Sequence, residues 1–239
     1  MKQFILGGAG FGTAIANDKV AQQIDTYIDC GGMLLDSAHV YGNWVPGKDC
    51  PSEEAIGEWV RKSGHRNAVT ISTKGGMDFK NGGNVIGLRP EQIQADMEKS
   101  LKKLCTDTVD LYFLHRDDVT IPVEEILGFL EEKVQEGKIR YYGCSNWRLP
   151  RIREAEQAAK MNGWKGFVCD QVQASLADIN VENMDPDNTI ADQELRSYHA
   201  QTAMSLMAYM SMGRGYFPRM VKGLRVFMEI HPMKQLLSG

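Results

Sequence analysis

The chain has 239 residues, 43% of them apolar, and a formal net charge of -4 at pH 7. That size suits one large α/β domain spanning 1–239 with a sizeable core, and the mild acidity excludes a general attraction to nucleic acid or anionic membranes. Five cysteines, at 30, 50, 105, 144 and 169, make neither a close metal-binding pair nor an even disulfide set, which points to a reducing, cytoplasmic compartment.

The first apolar run, 4–6, is strand-like and too short for a signal core, and no later stretch approaches membrane-spanning length. A helical pattern at 18–30 follows, then a strand at 33–35, a helix at 53–63 and a strand at 68–73. The glycine-rich stretch 75–87 reads as a loop that covers a ligand. Beyond it come a helix at 90–104, a strand at 109–114, a helix at 123–135 and a strand at 139–144. A helix at 150–162, a strand at 167–171, a helix at 190–199 and a strand at 203–209 complete the series. Strands that alternate with helices predict parallel pairing through crossover helices. Asp18 and Ser52 stand at or near N-caps, Pro90 at a first helical position, and Gly64, Gly137 and Gly163 where a left-handed cap follows a helix.

Asp36, Tyr41, Lys74 and His115 each lie at or just beyond the downstream end of an apolar run. In a parallel barrel those ends converge on one face, where such barrels hold their chemistry. Hydride addition to a carbonyl carbon requires a proton for the growing oxyanion. A tyrosine supplies it reluctantly, with an ordinary pKa of roughly 10, unless a nearby cation stabilises the phenolate. Lys74 is that cation, and Asp36 keeps it ionised in a partly dry cleft. His115 donates a hydrogen bond that orients the substrate oxygen. This chemistry requires no metal. Taken singly, the four read as a loop cap, a packing tyrosine, a solvated lysine and a structural histidine; together, at three consecutive strand ends, they make a site.

These residues resemble those of the aldo-keto reductases, carried by Asp36-Ser37-Ala38-His39-Val40-Tyr41-Gly42, Ser72-Thr73-Lys74 and Asp110-Leu111-Tyr112-Phe113-Leu114-His115. The resemblance implies a TIM-type (β/α) barrel, NADPH as cofactor, a small carbonyl substrate, and Asp36, Tyr41, Lys74 and His115 as the catalytic tetrad. Gly143-Cys144-Ser145-Asn146 and Asp170-Gln171-Val172 resemble the segments whose Ser145, Asn146 and Gln171 hold the nicotinamide carboxamide. Tyr209 resembles the aromatic that stacks on the nicotinamide, and Gly213-Arg214-Gly215 stands where a pyrophosphate loop belongs. Ser145 and Asn146 also read as a helix cap and Gln171 as a sheet-pairing amide. Trp44 and Trp147, with His39, Asp78 and Phe79 nearby, are the substrate-side candidates.

The pattern departs from the family at the C-terminus. Only 210–239 follows Tyr209, and 224–230 reads equally as an eighth strand or as part of a helix, so the barrel is expected to be incomplete or atypically closed. Its open edges would admit a partner chain, a route to self-association. From Arg214 onward, five basic residues (214, 219, 222, 225, 234) face Glu229 alone, a net +4 that leaves -8 for the rest. This atypical basic segment, 214–239, either replaces a phosphate grip through Arg214, Arg219 and Arg225 or is a solvated end. Two function classes stand: an NADPH-dependent reductase of aldehydes or ketones, and a catalytically silent, shortened relative that binds ligands or other proteins.

Overall fold

Period-two runs and period-3.6 stripes alternate along the chain, and the computed structural model, which describes residues 4–80 and 83–217, turns them into alternating strands and helices. In order these are β1 (Leu6–Gly7), α1 (Asn17–Asp29), β2 (Leu34–Asp36), α2 (Pro51–Ser63), β3 (Thr70–Gly75), β4 (Met77–Lys80), β5 (Gly83–Ile86) and α3 (Pro90–Lys103). Then follow β6 (Val109–Leu114), α4 (Val123–Gln135), β7 (Ile139–Ser145), α5 (Leu149–Asn162), β8 (Cys169–Gln173), α6 (Gln193–Gln201) and β9 (Ser205–Tyr209).

Seven strands pair in parallel in the order β1-β2-β3-β6-β7-β8-β9. They curl into a half-barrel with helices between them, an incomplete (β/α) barrel. Among the described residues β1 and β9 are each paired along one edge only. The segment 224–230 lies outside the described residues.

Each strand serves two cores because its side chains alternate between faces. On β6, Tyr112 and Leu114 pack with the helices, whereas Leu111 and Phe113 join Ile5, Leu34, Cys169 and Met207 in a separate cluster. The helices match this layer. In α3 the buried Ile93, Met97, Ser100 and Leu101 recur at helical spacing, and α5 buries Leu149, Ile152 and Ala155 in the same way. Gly64 and Gly163 cap α2 and α5 at φ +70 and +68, a left-handed geometry that costs glycine least.

Four local readings are sharpened. Residues 77–80 and 83–86 are not plain loop but two antiparallel strands, with Met77 opposite Ile86 and Phe79 opposite Asn84; the glycines masked the alternation. Ser52 lies inside α2, since Pro51 takes the first helical position, and its hydroxyl is drawn inward to Gly8 O (2.8 Å) and Ser37 Oγ (2.7 Å). The residue capping α1 is Ala16, without a side-chain bond, so Asp18 sits within the first turn instead. Helix α6 starts three residues later than read, where Asp192 accepts from Leu195 N at 2.8 Å.

Candidate active site

The register of β2, β3 and β6 sets the site. Asp36 stands opposite Ser72, and Lys74, two residues beyond Ser72, shares its face. His115 follows β6 directly, its backbone N–H donating to Gly75 O at 2.9 Å. Tyr41 reaches the same point from the loop after β2, which is pinned to β3 by Ser37 N to Ser72 O and His39 N to Lys74 O, both 2.8 Å.

Lys74 is fully buried. Its ammonium donates to Asp36 Oδ2 (2.8 Å), Ser37 O (2.6 Å) and Tyr41 Oη (3.0 Å), so its three protons have three acceptors. Burial pulls the Lys74 pKa down, but Asp36 and Tyr41 outweigh it and hold the pKa above the usual lysine value. The ammonium also lies 4.5 Å from the centre of the Tyr41 ring. Burial pushes the Tyr41 hydroxyl up, with Lys74 opposing it, and the balance keeps the pKa above its ordinary value. The phenol therefore carries its proton at neutral pH.

The His115 ring meets Tyr41 edge to face, centroids 5.8 Å apart. Burial, then the charges of Lys74 and Arg116, hold its pKa well below the ordinary histidine value, so the imidazole is neutral. Its Nδ1 is buried with no hydrogen-bond partner among the described residues.

Opposite these groups, β7 and β8 end in a chain of amides. Ser145 Oγ donates to Gln171 O (2.8 Å), Asn146 Nδ2 donates to Ser145 Oγ (2.9 Å), and Gln171 Nε2 donates to Asp36 Oδ1 (3.1 Å). Asn146 sits at φ +61, a left-handed conformation uncommon for a non-glycine residue and frequent at functional sites. Its Oδ1 accepts from Tyr209 Oη at 2.8 Å and Thr189 N at 3.1 Å. Asp36, Ser145, Asn146, Gln171 and Tyr209 line one cleft of about 1100 Å³, together with Tyr41, His115, Gly213 and Gly215. The donors and acceptors on this wall fit a carboxamide, and the half-buried Tyr209 ring at the end of β9 fits a flat partner. The tyrosine hydroxyl itself is pushed up to about 12 by burial.

The two tryptophans part company. Trp44 is 47% exposed and lines the cleft beside Val40, Met77 and Phe79. Trp147 does not reach it: the side chain is fully buried, 4.9 Å from the Phe167 ring and 5.6 Å from the Arg151 guanidinium. The start of α5 draws it into the helix-side core, so its expected substrate role is corrected to packing. His39 is likewise buried and faces Cys50 and Asp96. The Arg214 side chain, and Arg219, Lys222, Arg225 and Lys234, lie outside the described residues.

Sequence reading missed Arg116, whose guanidinium spans His115 O and Asn188 Oδ1, both at 2.8 Å, on the cleft wall. Its position directly after the strand-end histidine was the available signal. It also missed the 174–189 loop, which brings Ile179, Met184 and Asn188 to the same cleft. No helix among the described residues is long and apolar enough to cross a membrane.

A partial (β/α) barrel thus gathers a buried lysine, a carboxylate, a tyrosine and a neutral histidine at its strand ends. The Aldo/keto reductase family model matches residues 3–235, and the chain belongs to that family. Relatives include aldo-keto reductase str7 of Strobilurus tenacellus, 29% identical over 88% of this chain and 55% of the relative. The aryl-alcohol dehydrogenase [NADP(+)] of Phanerodontia chrysosporium is 31% identical over 61% of this chain and 38% of its own length. Aldo-keto reductase yakc [NADP(+)] of Schizosaccharomyces pombe is 35% identical over 53% and 36%. The chain spans about half the length, or less, of these curated relatives.

Proposed function

We propose that this chain reduces an aldehyde or ketone to an alcohol, with Tyr41 as general acid and NADPH as the hydride donor. The observation that carries the reading is the buried Lys74 ammonium, held between Asp36 and the Tyr41 hydroxyl. Two relatives named for NADP(+) support the choice of dinucleotide. When bound, the nicotinamide supplies hydride to the carbonyl carbon.

The chain's own residues do the rest. Ser145, Asn146 and Gln171 would hold the carboxamide, with Tyr209 against the ring and Gly213 and Arg214 toward the pyrophosphate. His115, neutral and lining the cleft, orients the carbonyl oxygen through its other ring nitrogen, Nε2. Tyr41 Oη gives its proton to that oxygen as charge develops, and the adjacent ammonium stabilises the phenolate left behind. Such positioned acid catalysis contributes about 10²–10⁴-fold. Trp44, with Phe79 and Met77, forms the apolar wall for the substrate. The chain works in the cytoplasm on this reading, its five cysteines all being free, and the open edges of β1 and β9 are where a second copy would pair.

A second reading, a silent binding protein, has one observation in its favour: Asn146 and Gln171 spend amide groups on Tyr209 and Asp36, bonds a carboxamide would have to replace. Oxidation of NADPH that depends on added aldehyde, followed by absorbance, supports the reductase. Dinucleotide binding with no aldehyde-dependent turnover supports the silent protein.

A further inference from the structure

Opposite Lys74, on the helix side of the sheet, a second cluster of donor groups meets. Thr73 points away from the cleft because its neighbours Ser72 and Lys74 point into it. Its hydroxyl donates to Glu53 Oε1 of α2 at 2.5 Å. Around Glu53 gather His39, from the loop that carries Tyr41, and Cys50, the left-handed residue (φ +50) that caps α2. All three side chains are buried, and each presents one ligand-type atom within 4.8 Å of the others.

The separations suit a metal. His39 Nδ1 lies 3.6 Å from Cys50 Sγ. Zinc bonds of roughly 2.0–2.1 Å to nitrogen and 2.3 Å to sulfur, at a tetrahedral angle, hold those atoms about 3.6 Å apart. Glu53 Oε2 is buried, with the Ser100 hydroxyl close enough to oppose the upward pull of burial on the carboxyl. A carboxylate in a dry interior is costly unless it is fully paired. On the far side of the imidazole, Asp96 Oδ1 stands 3.6 Å from His39 Nε2. That is too long for a hydrogen bond, yet the carboxylate favours the proton on Nε2 and leaves the Nδ1 lone pair toward Cys50.

We propose that His39 Nδ1, Cys50 Sγ and the Glu53 carboxylate form a site for one divalent, borderline-soft cation of the Zn²⁺ type, tying the Tyr41-bearing loop to α2. Thiolate and carboxylate together cancel the charge of the ion, which makes a buried site electrostatically neutral. Binding releases the thiol proton to solvent, together with the proton from whatever fraction of Glu53 still holds one. Because binding releases protons, affinity rises with pH. A thiol that donates a weak hydrogen bond to Nδ1 has the same 3.6 Å separation, and spectroscopy separates the two.

The test is titration of chelator-treated protein with Co²⁺, then Zn²⁺. The expected result is a thiolate-to-cobalt charge-transfer band that saturates at one equivalent and is abolished by Zn²⁺. It disappears in Cys50→Ser and persists in Cys30→Ser and Cys105→Ser, whose thiols are exposed. Absence of the band, or its survival in Cys50→Ser, overturns the proposal. The parent chain gives an independent reading should Cys50→Ser not fold. Alkylation in mild urea, read by mass spectrometry, finds Cys50 protected by Zn²⁺ while Cys30 and Cys105 are labelled equally with and without it; equal labelling of Cys50 in both conditions overturns the site.

Discussion

Replacing Lys74 by methionine separates what the buried ion pair does for stability from what it does for chemistry. Lys74→Met keeps most of the side-chain volume but leaves the Asp36 carboxyl in a dry site without its ammonium partner, with only Ser72 Oγ (2.8 Å) and Gln171 Nε2 (3.1 Å) as side-chain partners among the described residues. Breaking a buried pair on one side costs about 3–5 kcal/mol, and the two remaining hydrogen bonds place this site near the low end, about 3 kcal/mol. The double variant Asp36→Asn/Lys74→Met carries no buried charge there. Its stability in urea unfolding is expected within about 1 kcal/mol of the parent, since uncharged replacements of buried pairs are often neutral. Activity does not return with stability, because the ammonium beside Tyr41 is gone. A double variant as unstable as the two single losses added together would refute the reasoning, for it would show that the pair is a net stabiliser and not a charge held in place for catalysis.

Glu53 makes stability depend on pH. Its folded pKa of about 7 lies above the ordinary 4.5 because of burial, the Thr73 and Ser100 hydroxyls opposing the shift. The unfolded chain therefore loses this proton first, and stability, full below pH 4.5, falls as pH rises to about 7, by about 3 kcal/mol at 1.36 kcal/mol per unit. Glu53→Gln removes that slope in chelator-treated protein; a slope unchanged in urea melts between pH 5 and 7 contradicts it. Reduction kcat/KM stays flat between pH 6.5 and 9, since the His115 pKa lies well below 6.5 and Tyr41 is protonated until above 10; an inflection at 6.5 assigned to His115 counts against the neutral imidazole. The two tryptophans behave oppositely. Trp147→Ala costs about 3–5 kcal/mol of stability, whereas Trp44→Ala stays within about 0.5 kcal/mol and raises KM; a destabilised Trp44→Ala with an unchanged KM contradicts the assignment.

The four groups at the strand ends were legible because each follows a short apolar run, and a strand's period and end are local properties of sequence. The same locality revealed all seven sheet strands and the glycine caps at 64 and 163. Where side-chain direction mattered, it was less informative. Trp147 and Ser145 are two residues apart at the end of β7, yet only Ser145 reaches the cleft, because the turn into α5 rotates the tryptophan outward. The β4–β5 ladder was hidden by glycines whose pairing depends on a partner strand. Contacts across long stretches of chain, such as Gln171 with Asp36 or Glu53 with His39, have no local signature at all.

The account stands most directly on the Tyr41 hydroxyl as the proton source beside Lys74. Tyr41→Phe removes one oxygen and leaves the ring in place against His115. Steady-state reduction of an aldehyde by NADPH is expected to lose at least about 10²-fold in kcat, with dinucleotide affinity, read by fluorescence quenching, unchanged. A variant that turns over at the parent rate would contradict the account.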